Sequence, residues 1–91
     1  MTIITYLSEI LSKRINISPI ASRGLLKLSI QDELGPFIDF YTINFQGLKA
    51  SIENALKKRL INLKIENLDE VIELLISELK TNQSLMTMDK F

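Results

Sequence analysis

Asp69, Glu70 and Glu73 put three carboxylates within five positions, an oxygen-rich set of the kind that chelates Mg²⁺ or Ca²⁺. The same residues open an apolar periodic run that begins at Leu68. Acidic side chains at the start of a helix complement the positive end of its dipole. Glu70 also stands three positions after Asn67, the spacing of a capping box. These two duties account for all three carboxylates, so no metal is assigned to them. A two-metal carboxylate bundle brings Glu-x-x-His pairs, and this chain has no His.

The rest of the catalytic repertoire is thin. With neither His nor Cys, the usual proton shuttle, the thiolate nucleophile and the common zinc ligands are missing. Gly24, Gly35 and Gly47 stand alone and form no phosphate-cradling loop. A Ser–Lys or paired-carboxylate mechanism has no supporting spacing, and a bundle of this size leaves little room for a substrate cleft. The expectation is a chain that is not an enzyme, with no cofactor and no small-molecule substrate.

Basic residues offer binding rather than catalysis. Residues 7–27, from Leu7 through Ser22, Arg23 and Lys27, resemble a helix-turn-helix. An apolar helix ends at Lys13-Arg14, an apolar residue and Ser follow, and a second helix carries Ser22, Arg23 and Lys27. The resemblance implies a DNA-binding regulator in which Arg23 and Lys27 contact phosphates, with Lys57, Lys58 and Arg59 adding further contacts. It covers 21 of 91 residues, and the chain departs from the pattern at three places. Asn16 stands where the turn commonly has Gly, Ser22 stands at a position that usually buries a branched apolar residue, and apolar Ile20 would face the DNA. Zero net charge also lacks the basic footprint of a DNA binder.

The elements that hold these residues are helices. Apolar positions recur every three or four residues, with Leu and Ile predominating and only three Gly and two Pro to interrupt them. Helix 1 is predicted over 2–14. Ser18-Pro19 starts helix 2 with a cap and a first-position proline, and Gly35-Pro36 stops it after Leu34. Gly24 inside this helix predicts a neighbouring helix in close approach. Helix 3 is predicted from a cap at Asn44 to Asn62. Helix 4 runs from a cap at Asn67 to about residue 82. The fold class is therefore all-α, a compact bundle of four main helices with a short fifth turn near Asp39 or in the tail. Residues 1–82 form one domain, and residues 83–91 a partly ordered tail.

The apolar surface exceeds what four short helices can bury in a small core. The connection 35–44 carries Phe37, Ile38, Phe40, Tyr41 and Ile43, too apolar for a flexible linker. It is expected to lie across one end of the bundle, or else to offer an aromatic patch to a partner. Helix 4 is apolar over more than half its circumference. The leading expectation is a non-catalytic protein–protein interaction module, either a self-dimer or a subunit of a larger complex. Ile72, Ile76 and Leu79 are its expected docking residues, with Phe37 and Phe40 secondary.

Charge is unevenly spread. Residues 1–64 hold nine basic and five acidic side chains, and residues 65–91 hold two and six. The simplest account is that the acidic last helix packs beside basic neighbours. The N-terminal stretch lacks the basic region of a secretory signal, and no segment reaches the ~20 apolar residues of a membrane span. The cytoplasm is the expected location.

Overall fold

In a computed structural model the chain folds into four helices, with residues 2–83 described. Helix α1 spans Thr2–Ile15 and α2 spans Pro19–Leu34. Helix α3 is one rod over residues 45–62, and α4 spans Leu68–Thr81. A short 3₁₀ turn, Phe40–Thr42, sits in the long connection. The described residues contain no strand. The tail expected over 83–91 lies, apart from Gln83, outside the described residues. No described helix is long and apolar enough to cross a membrane.

Local chemistry sets the boundaries. The Ser18 hydroxyl accepts from the Ala21 N–H at 3.1 Å, and Pro19 occupies the first turn, where its missing N–H is not needed. Gly35 ends α2 at φ 106°, a value that side chains resist. Asn44 caps α3 by accepting from the Gly47 N–H at 2.7 Å. Asp39 starts the 3₁₀ turn by accepting from the Tyr41 N–H at 2.9 Å. At α4 the capping-box expectation fails. Asn67 makes no side-chain cap bond, because its ψ of 39° lies outside the extended region that a capping residue adopts. Only its carbonyl joins the helix, accepting from the Val71 N–H.

Helix α3 is not uniform. Its middle third, Ser51–Leu56, is π-helical, a feature the sequence reading did not anticipate. Ile52, Leu56 and Leu60 stand four apart and are all fully buried. Residues four apart drift around a regular α-helix; a wider turn brings them back into line. Ser51 donates its hydroxyl to the Gly47 carbonyl at 2.8 Å just where the wide segment begins.

Each helix packs beside two others. α1 touches α2 and α4, and α3 touches α2 and α4, so α2 and α4 lie diagonally opposite. The shared core includes Ile4, Leu7, Leu11, Leu26, Ile30, Leu48, Val71 and Leu75. Burial of each such side chain stabilises by about 1.5–3 kcal/mol against exposure. Ser8, Ser12, Ser22, Ser29 and Ser51 are buried as well, and each hydroxyl donates to a backbone carbonyl. Small residues on α1, α2 and α3 thin the layers between these helices without leaving a buried donor unpaired.

Candidate interaction surface

Helix α2 has two sides of different character. Ser22, Leu26, Ser29 and Ile30 face inward and are buried. On the opposite side, at i and i+4 spacing, lie Ile20, Gly24 and Leu28, all exposed, with exposed Ala21 beside them. Ile20 is 80% exposed and Leu28 47%. A surface helix normally turns charged residues to this side. Here the outward line is Ile20, Gly24 and Leu28, with Arg23 and Lys27 flanking it on one side. The signal was present in the sequence: Ile20, Leu25, Leu26, Leu28 and Ile30 are too widely spread around the helix to share one buried stripe.

The connection after Gly35 folds back along the same helix. The Lys27 ammonium lies 5.7 Å from the Phe40 ring centroid, a cation–π contact seven positions before the end of α2. Gln31 donates to the Pro36 carbonyl at 3.5 Å. Ile43 is buried, and Ile38 and Phe40 pack against the core, as expected of a segment laid across the bundle. Phe37 and Tyr41 do not follow them. Phe37 is 97% exposed and Tyr41 59%. The short 3₁₀ turn divides the segment: part plugs the core, and two rings stand out in water.

The residues expected at the docking surface separate. Ile72 and Ile76 are half-buried and line an open groove of about 340 Å³ with Glu53, Glu73, Ser77 and Lys80. Leu79 corrects the expectation: it is fully buried in the chain's own core and offers no surface. Three positions beyond Ile76, it falls on the side of α4 that packs inward. Phe40 is likewise mostly committed to the core, whereas Phe37 is free.

The basic residues named for nucleic acid do not assemble into one face. Lys27 is held over Phe40. Lys57 lies 3.8 Å from Asp69 on α4, and Arg59 Nε donates to Asp32 on α2 at 2.6 Å. Arg59 holds the Asp32 carboxyl below its ordinary range. Lys58 is exposed. Arg23 is half-buried, and its buried Nε has no acceptor among the described residues. Within residues 7–27 the departures from the helix-turn-helix pattern have physical answers. Asn16 takes φ 58°, the left-handed conformation that Asn tolerates. Ser22 is buried after all, donating to the Ser8 carbonyl at 2.6 Å. Ile20 faces outward where a recognition helix would present donors to base edges.

No family model, no curated protein and no solved structure matches this chain. Its surface must speak for itself.

Two further expectations meet the structure here. Gly24 is not a site of close approach within the chain, because a Cβ added there would meet nothing within 4 Å. α2 turns this residue to solvent, away from α1 and α3. Asp69, Glu70 and Glu73 are all exposed, and no three metal-ligating side chains come together among the described residues. The acidic helix is answered by a single ion pair within the described residues, Lys57–Asp69, between two exposed side chains.

Proposed function

We propose that this chain is a non-catalytic protein-interaction module of the cytoplasm that receives a helix of another protein chain on the outward face of α2. The observation that carries this reading is the exposure of Ile20 and Leu28, four residues to either side of Gly24 on the outward face of α2. Phe37 and Tyr41 are two further exposed rings on the connection that folds back along the same helix. Apolar anchors with aromatic neighbours are what the centre of an interface uses. Ile72 and Ile76 supply a smaller secondary groove rimmed by Glu53, Glu73 and Lys80.

The DNA-binding reading has less support. The outward face of α2 presents carbon where phosphates and base edges need donors. Lys27, Lys57 and Arg59 already have partners within the chain. A gel shift of duplex DNA at low salt that weakened steeply with added salt would revive it.

Photo-crosslinking in the native cells tests the docking reading. A benzoylphenylalanine at position 20 or 37 should yield an adduct with another polypeptide, while one at the exposed position 62 should not. Equal absence of adducts at all three positions sinks the proposal.

A further inference from the structure

We infer that the occupant of the α2 face is an acidic amphipathic helix of another protein, which sets two carboxylates one turn apart against Arg23 and Lys27. The inference rests on the docking reading above and gives the partner its chemistry. Three observations carry it.

The first is the placement of charge on α2. Arg23 and Lys27 stand four residues apart, so both lie on one flank of the line Ile20, Gly24 and Leu28. The other flank carries Ala21 and Leu25. Like charges at this spacing repel each other and weaken a helix. The carboxylates of α2 do not relieve them. Asp32 binds Arg59, and Glu33 accepts from Asn54 at 3.4 Å, both on α3.

The second is the state of the two cations. Arg23 is half-buried, its Nε is enclosed with no acceptor, and it makes no ion pair among the described residues. Folded proteins pair nearly all enclosed donors, and leaving one on a charged group is costly. A carboxylate meets the planar guanidinium fork with two bonds at once, and turning the fork outward to it frees Nε from its enclosure. Lys27 is held in place by the Phe40 ring at 5.7 Å, which attracts the ammonium without neutralising it. Both positive charges are therefore unanswered among the described residues.

The third is the carbon beside them. Ile20 is 80% exposed and Leu28 47%, and the stretch between them spans about 12 Å, two turns of a helix. A nucleic-acid backbone or a small anion would satisfy the cations and leave these side chains in water. A helix with an apolar stripe and acidic residues along one side of it covers both. Its stripe lies on Ile20 and Leu28, and its carboxylates reach the basic flank.

Two alanine-rich helical peptides of about 20 residues serve as probes. Both carry a Leu stripe; one sets two Glu a turn apart beside it, and its twin sets two Lys there. Fluorescence anisotropy with the full chain should give the Glu peptide a Kd at least ~10-fold below that of the Lys twin, a difference that shrinks in about 1 M salt. Arg23→Gln with Lys27→Gln should abolish the preference, and Arg23→Glu with Lys27→Glu should invert it. The Gln pair, which adds no charge to the flank, keeps the test valid if the Glu pair does not fold. Ile20→Glu should weaken the binding of both peptides. Equal binding of the two peptides overturns the acidic partner and leaves the docking face standing. No binding of either below about 1 mM also overturns it, and the adducts at position 20 in cells then decide the docking face. Displacement of the Glu peptide by short duplex DNA gives the flank to nucleic acid. A dimer of the peptide-free chain that Ile20→Glu dissolves gives the face to a second copy. Either of these results overturns the inference.

Discussion

The Ser22 hydroxyl donates to the Ser8 carbonyl at 2.6 Å, joining α2 to α1 at a point where neither side chain is exposed to water. A hydroxyl at this position does what a branched apolar residue would do by bulk alone, and in less space. The consequence is a directional lock between the first two helices. Ser22→Ala should cost about 0.5–1.5 kcal/mol, the net worth of one such bond. Ser22→Val, which restores the apolar character of a helix-turn-helix at this site, should cost about 1–3 kcal/mol by overpacking. Urea melts of the two variants decide it. A Val variant more stable than the parent would show that α1 and α2 are less tightly apposed than the bond implies.

Helix boundaries were legible because they depend on local chemistry. Ser18-Pro19 and Gly35-Pro36 fix α2 through bonds and torsions within a few residues, and its limits agree with the sequence reading. Asn67 shows where local reading ends. Its identity and spacing fit a cap, but the turn before it, with Lys64 at φ 58°, delivers the chain at a ψ that does not. The site was harder still. Periodicity marks Leu79 and Ile76 alike as apolar, and only the placement of α1 and α3 around α4 decides which of the two is enclosed. Gly24 misled for the same reason: a helix glycine permits close approach, but α2 turns this one to solvent, where an added Cβ would meet nothing within 4 Å.

That distinction on α4 has a measurable form. Leu79→Ala removes a fully buried side chain and should destabilise by about 2–5 kcal/mol. Phe37→Ala removes a larger side chain that is 97% exposed, and should shift stability by no more than about 0.5 kcal/mol. Their effects on partner binding should be reversed, with Phe37→Ala weakening it and Leu79→Ala acting only through the fold. Denaturant midpoints for both variants check the first half. Similar losses from the two would place Phe37 inside the fold.

The pair Asp32–Arg59 ties α2 to α3 at 2.6 Å and should make stability depend on acid. Hydrogen bonding to Arg59 lowers the Asp32 carboxyl below its ordinary value, and the charge of Arg59 adds to this against a smaller opposing effect of burial. A depressed carboxylate contributes stability that is present above its unfolded value of about 3.9 and is lost as pH falls through the folded value. The melting temperature of the parent should therefore exceed that of Asp32→Asn near neutrality, and the gap should close in acid. Both side chains are substantially exposed, so about 1 M salt should narrow the gap as well. Melts of the two proteins at neutral and acid pH, with and without salt, test this. A gap that does not change with pH would mean that the pair contributes nothing to folding.

Tyr6 gives the alkaline counterpart between α1 and α4. Its hydroxyl donates to the Glu78 carboxylate at 3.2 Å. Burial is the main cause that raises this phenol above its ordinary value, followed by the bond to Glu78 and the charge of that carboxylate; Asn82 pulls slightly the other way. A raised phenol contributes stability that is complete below its unfolded value of about 10 and is lost as pH climbs through the folded value. The ring-carbon shift of Tyr6, followed by NMR in alkali, should report ionisation later than a free phenol. Glu78→Gln removes the charge but leaves the burial, so it should bring the midpoint only part of the way back. Full return in that variant would make Glu78, and not the packing of α1 against α4, the chief cause. Ionisation of the parent at the free-phenol value would mean that the ring is open to water and that the two helices are not joined at this point.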